Sequence, residues 1–193
     1  MGNFADLILA ARTCRRFEED KPVSSTTLRK MIDAVRITSS ASNRQPLRYY
    51  TVSTPAVCAQ VFPHAKWAGA LPKWPGPIEG ERPTGYIVIC NAQTNNQFVN
   101  FDIGIAAQSL QLYATELGLG CCMFYSFSRE PVRKILDIPA DIEVSLLLAF
   151  GAPKEVRKLV DATLNDNLAY WRDEQQVHYV PKLTIDQVLL GEK

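Results

Sequence analysis

The 193-residue chain is predicted to fold as an α+β sandwich, and three observations point there. Apolar strand-like runs and helical patterns alternate irregularly, without the strict strand–helix–strand order of a doubly wound sheet. The length suits one domain with enough apolar content to bury a substantial core. Beyond Gly151 the apolar periodicity weakens, so residues 153–182 read as an extended arm and not as a second domain.

The elements follow in order. Residues 3–11 fit a short helix with Asn3 as its cap and Phe4, Leu7, Ile8 and Ala11 on one side. A second helix starts at Ser24 or Ser25, because Leu28, Met31, Ile32 and Val35 repeat at i, i+3, i+4 and i+7 behind a capping hydroxyl. It stops near Thr38, and Arg48 to Ser53 reads as a strand. Residues 69–85 carry Pro72, Pro75, Pro77 and Pro83 with Gly69, Gly76, Gly80 and Gly85, a density that forbids regular structure and marks a long loop. With Trp67 and Trp74 beside its first part, it is either a lid over an aromatic ligand or a surface loop with tryptophans packed beneath it.

Gly85 to Cys90 is a buried strand by its continuous apolar run. Residues 97–117 give the longest helical pattern, apolar around most of its circumference, and so belong in a core or at a subunit interface. Cys121 to Tyr125 reads as a strand that turns Cys121 and Cys122 to opposite faces. Ser128 can cap a short helix to Leu136, and Glu143 to Phe150 is the strongest remaining strand.

Composition excludes more than it assigns. A net charge of +1 exerts no global pull on nucleic acid or membrane. No apolar stretch approaches a membrane span, and the N-terminal residues fit neither a signal peptide nor a myristoylation signal. Five cysteines without repeated spacing read as reduced thiols of a cytoplasmic protein. His64 and His178 stand apart from any metal-ligand spacing and are expected to be structural or solvent-facing. Neither a Rossmann fingerprint, a phosphate loop nor a nucleophile elbow is present.

Two polar clusters remain. Arg12-Thr13-Cys14-Arg15-Arg16-Phe17 gathers three guanidiniums and a hydroxyl, and Ser40-Ala41-Ser42-Asn43-Arg44-Gln45-Pro46 is a run of amides and hydroxyls. Separately they read as a solvated basic face and a loop of turn formers. Together they suit a ligand with an anionic tail and a planar, hydrogen-bonding head, the shape of flavin mononucleotide (FMN).

The order and spacing of these clusters resemble the FMN-dependent nitroreductase family. That family carries an Arg-Arg-Ser-x-Arg-like run and, about thirty residues later, a Ser-x-x-Asn-x-Gln-Pro-Trp-like loop. Asp102 to Leu110, running to Leu117-Gly118-Leu119-Gly120, is similar to its central helix and following turn. Ile138-Pro139 with Leu147 to Pro153 is similar to its last core strand. Ala11, Thr13 and Leu47 depart from the pattern; Thr13 keeps the hydroxyl, while Ala11 removes one potential phosphate contact.

The resemblance implies a single domain over residues 1–193, with a central, mainly antiparallel sheet flanked by helices, an insertion loop at about 69–85, and a C-terminal arm from about 153 exchanged between the subunits of a homodimer. It implies FMN as cofactor, NADH or NADPH as electron donor, and a nitroaromatic, quinone or similar planar small molecule as acceptor. Arg12 and Thr13 would hold ribityl or phosphate oxygens, and Arg15 the flavin edge that becomes negative on reduction. Ser40, Asn43 and Gln45 would reach the ring from the other subunit, and backbone groups near Cys122, Tyr125 and Ser126 would meet it too. Lys182 is a distal phosphate contact or an exposed lysine. The chemistry would belong to the flavin N5, with no catalytic side chain assigned. Dehalogenation, flavin fragmentation or a non-catalytic flavin-binding module are alternatives on the same scaffold.

Overall fold

The computed structural model describes residues 3–93 and 96–193; the Met1-Gly2 start, weighed above against lipidation, lies outside them. The chain divides into two compact units, the residues up to Trp67 with Pro77–Lys154, and Ala68–Gly76 with Glu155–Lys193.

In the larger unit the sheet is built around β5, Glu143–Pro153. It runs antiparallel to β3 (Gly85–Asn91) and to β4 (Gly120–Phe124), and its C-terminal end pairs with the two-residue β1 (Phe17–Glu18). The strand β2 (Leu47–Val52) adds antiparallel to the outer edge of β3. Among the described residues the pairings between these strands are antiparallel, in keeping with the mainly antiparallel sheet expected.

Alternation along the buried strands feeds two separate cores. Ile87, Ile89, Cys121, Leu148 and Phe150 join Leu28, Met31 and Val35 of α2 (Ser25–Val35) and Ala107, Leu110 and Ala114 of α4 (Val99–Glu116). Tyr86, Val88, Cys122, Leu147 and Ala149 face the opposite way, onto Cys58 and Val61 of α3 (Pro55–Val61) and Val132 of α5 (Arg129–Ile135). Helices therefore cover both faces, which is why β3 reads as an unbroken apolar run. Cys121 and Cys122 diverge to opposite cores, as the strand reading requires.

Local signals account for most boundaries. Asn3 and Asp6 form a reciprocal capping box on α1 (Phe4–Ala10). The Ser24 hydroxyl accepts from the Thr27 N–H at 3.0 Å, opening α2. At the end of α4 the Leu119 N–H reaches the Ala114 carbonyl and the Gly118 N–H that of Thr115, with Gly118 at φ +74°. This is a Schellman closure, and only glycine takes that backbone without strain. Two expectations differ in detail. Ser128 precedes α5 without a side-chain capping bond. Helix α3, with Pro55 at its first turn, was not expected from the sequence at all.

The smaller unit places regular strands within the stretch read as an extended arm. Strand β6 (Arg157–Ala162) pairs in parallel with β8 (His178–Leu183), whose other edge carries the short β7 (Trp171–Arg172). A single-turn helix, α6 (Ile185–Val188), follows. Arg172 donates to the buried Glu155 at 2.9 Å and lies over the Trp74 ring at 4.1 Å, while Tyr170 rests 5.1 Å from the buried His178. In the larger unit, Trp67 meets Phe124 edge-on at 4.7 Å. Both tryptophans flanking the Pro/Gly loop are thus packed against protein.

The turn after α4 makes a second demand on glycine. A Cβ at Gly120 would stand 2.7 Å from both Cβ and Sγ of Cys14, which is fully buried. Gly120→Ala should therefore cost about 1–3 kcal/mol through overpacking, read as a lowered urea midpoint. Nearby, Arg16 forks onto Glu81 at 2.7 and 2.5 Å, with the Lys154 ammonium 3.6 Å away. The Arg16 hydrogen bond above all holds the Glu81 carboxyl below its ordinary range, against the opposing effect of burial. Arg16 is one-fifth exposed, so Glu81→Gln should cost about 2 kcal/mol, less than a fully buried pair. Because the folded carboxyl is depressed, that contribution is complete above the ordinary carboxylate range and is lost as pH falls through the folded value. Urea titrations of the two proteins should differ at pH 7 and converge in acid.

Candidate functional site

The arginine strip is fixed by its backbone. The Cys14 N–H donates to the Cys121 carbonyl at 2.8 Å and Thr13 bridges Cys121 in parallel, so residues 12–16 lie along the free edge of β4. Gly120 is the floor that lets Cys14 approach so closely. Arg12, Thr13 and Arg15 are half-buried, and an Arg12 guanidinium nitrogen donates to the Ile8 carbonyl at the end of α1. Arg16 belongs to structure through Glu81, with the half-buried Arg12 and Arg15 beside it in the strip.

The amide loop is unusual in its backbone. Ser42, Asn43 and Gln45 have φ of +53°, +52° and +48°, and none is glycine. Left-handed backbone costs an L-residue on the order of 1 kcal/mol. The outcome is that Asn43 and Gln45 are exposed, and the Gln45 Nε2 donates to the Asn43 Oδ1 at 2.9 Å. Ser40 is turned inward instead: its hydroxyl donates to the Asp102 Oδ2 at 2.9 Å, and the same oxygen accepts from the Gln45 N–H at 2.9 Å. The Asp102 Oδ1 accepts from the Ala41 N–H at 3.0 Å. Beside this loop a cavity of about 280 Å³ is lined by Ile32, Val35, Arg36, Gln45, Tyr49 and Asp102, among others. Burial foremost, then the Asp102 charge, raises the Tyr49 hydroxyl to about 12, so it stays a neutral donor at physiological pH.

A third segment follows β4. Tyr125 and Ser126 are exposed, and the Cys122 side chain is buried. Arg129 gathers this turn: its guanidinium donates to the carbonyls of Tyr125 at 3.1 Å, Val144 at 3.0 Å and Ser145 at 3.3 Å, and stands 4.8 Å from the rings of Tyr125 and Phe127. The Ser126 carbonyl accepts from the Lys66 N–H at 3.1 Å.

Within one chain the structure unites some of the expected residues and separates others. Arg12, Thr13 and Arg15 share the β4 edge with the backbone of Cys122. Ser40, Asn43 and Gln45 lie at the opposite end of α4, since Asp102 is in its first turn and Gly120 follows its last. The eighteen-residue helix between these two ends is about 27 Å long. Lys182 is exposed on β8 of the smaller unit, opposite Asp161 in register. Asp102 and Arg129 were not anticipated as site residues. Asp102 stood in a recognised motif but was read only as part of a helix, and Arg129 carries no local signal.

The donor chemistry fits a flavin with a phosphate tail: guanidiniums and a hydroxyl at one location, paired amides at another. Among the described residues no group of metal-ligating side chains is assembled, and no helix is long and apolar enough to cross a membrane.

Solved structures of similar fold include a nitroreductase family protein of Clostridium difficile, 22% identical over 80% of this chain and 87% of its own, with a TM-score of 0.64. An FMN-dependent nitroreductase of the same species is 21% identical over 80% and 90%, at 0.65. A protein of Parabacteroides distasonis described as an NADH dehydrogenase or NAD(P)H nitroreductase is 20% identical over 90% and 99%, at 0.67. The model of the Nitroreductase family matches residues 8–152, well over half of the sequence. The chain belongs to the nitroreductase family.

Proposed function

We propose that this protein is an FMN-dependent oxidoreductase acting as a homodimer. It takes electrons from NADH or NADPH and passes them to a nitroaromatic, a quinone or a similar planar acceptor. The observation that carries this reading is the separation of complementary halves. The cationic strip and the amide loop suit the two ends of one cofactor, yet lie at opposite ends of α4, a helix about 27 Å long. Two copies can bring one strip to the other's loop, giving two composite sites.

Exposed apolar surface supports a second copy. Phe101 is 67% exposed on α4, Phe4 66% on α1, and Ile8, Leu9 and Ile105 join them. In the smaller unit Leu164, Leu168 and Leu190 are exposed, as an arm exchanged between subunits requires.

The assignments follow the family resemblance. Arg12 and Thr13 bind ribityl and phosphate oxygens, with Lys182 as the distal phosphate contact. Ser40, Asn43 and Gln45 serve the ring of the neighbouring copy, and backbone groups near Cys122, Tyr125 and Ser126 complete its surroundings. A bound flavin supplies the capacity to accept and return a hydride. Arg15 favours the reduced form because a fixed cation interacts more strongly with the charged state than with the neutral one.

Purified protein should be yellow, bleach with NADH or NADPH, and regain colour with a nitroaromatic or quinone. Protein that neither contains nor binds FMN would contradict the proposal. Arg15→Ala should retain flavin but shift its midpoint potential by about 30–60 mV to the negative, the equivalent of one charge-assisted hydrogen bond. Spectroelectrochemical titration measures it, and an unshifted potential would remove Arg15 from this role.

A further inference from the structure

We infer that Asp102 is a positioning residue for the flavin loop, acting through Ser40 to hold the backbone on which Asn43 and Gln45 are presented. The inference rests on the flavin reading above and assigns work to a residue outside that set. Asp102 is 3% exposed, and both its oxygens are turned to one loop. The Ser40 hydroxyl is the donor to the Asp102 Oδ2. The lone pairs of the Ser40 oxygen are then left for the Gln45 N–H, which they meet at 2.9 Å. The result is a directed chain, from the Gln45 N–H to Ser40 and from Ser40 to Asp102, with a second strand from the Ala41 N–H.

Two further facts give the chain its purpose. Among the described residues Asp102 makes no ion pair, so its charge is balanced by these two donors and by its place near the N-terminal end of α4. Burying a charge in this way is costly unless every lone pair is used. The segment it holds contains three left-handed residues, where glycine would fit without strain. Non-glycine residues in such a backbone mark a loop kept for its side chains, and here those are the exposed Asn43 and Gln45 amides. Ser40 therefore acts as the relay between carboxylate and loop, and its expected contact with the ring is secondary to this bond.

The test compares Asp102→Ala, Ser40→Ala, the double variant and Ser40→Thr. In flavin-free protein, hydrogen exchange at the Gln45 amide should accelerate in both alanine variants. FMN dissociation constants should rise about tenfold in each, as loss of a charge-assisted bond would give. The double variant should be no weaker than the poorer single, because both act in one chain, and Ser40→Thr should recover most of the affinity that Ser40→Ala loses. Additive losses would overturn the relay, as would unchanged FMN affinity despite a freed Gln45 amide, while leaving the flavin reading intact. Unaltered protein with a protected Gln45 amide but no affinity for FMN would remove both. If Asp102→Ala does not fold, the Ser40 pair decides: loss in alanine without recovery in threonine refutes the proposal.

Discussion

Strand β5 is buried on both faces and hydrogen-bonded on both edges, and the larger unit is arranged around that constraint. Its alternate residues must enter different cores, so helices have to cover each face. Its antiparallel pairing with β4 brings Gly120 opposite Gly151, where two close approaches follow in succession. Cys14 lies on Gly120, and a Cβ at Gly151 would stand 2.9 Å from Phe17. The arginine strip is thus pressed onto the sheet by two missing side chains. Its half-buried cations owe their placement to packing, before any ligand is considered.

The same long helix that seals one core also sets the scale of the site. It ends in a glycine closure beside the strip and begins with a buried carboxylate beside the amide loop. On the proposed reading, its length is what separates the two halves within one chain and makes a second copy the partner for each.

Much of this was legible from local signals. The α2 pattern behind Ser24, the continuous run of β3 and the Leu-Gly-Leu-Gly turn each rest on interactions within a few residues, and each appears where the sequence placed it. What escaped depends on distant partners. Arg16 reads as one of three equivalent guanidiniums until Glu81, 65 positions away, is seen to hold it. The smaller sheet escaped because β6 and β8 are parallel neighbours separated in sequence by β7, and neither run is apolar enough to announce itself. Helix α3 went unread although it is as long as α1 and α5, and Thr54 before it makes no side-chain capping bond. Of the site, residue types and spacing were visible, whereas the inward turn of Ser40 and the role of Asp102 required coordinates.

The most direct measurement is a subunit-mixing experiment. One double variant, Arg12→Ala with Arg15→Ala, lacks the strip; another, Asn43→Ala with Gln45→Ala, lacks the loop. A shared site predicts that each alone binds FMN poorly and that co-expressed mixed dimers regain one flavin per dimer, because one pairing unites an intact strip with an intact loop. Mixed dimers that stay as colourless as their parents, or a loop variant that binds FMN as tightly as the unaltered protein, would contradict it.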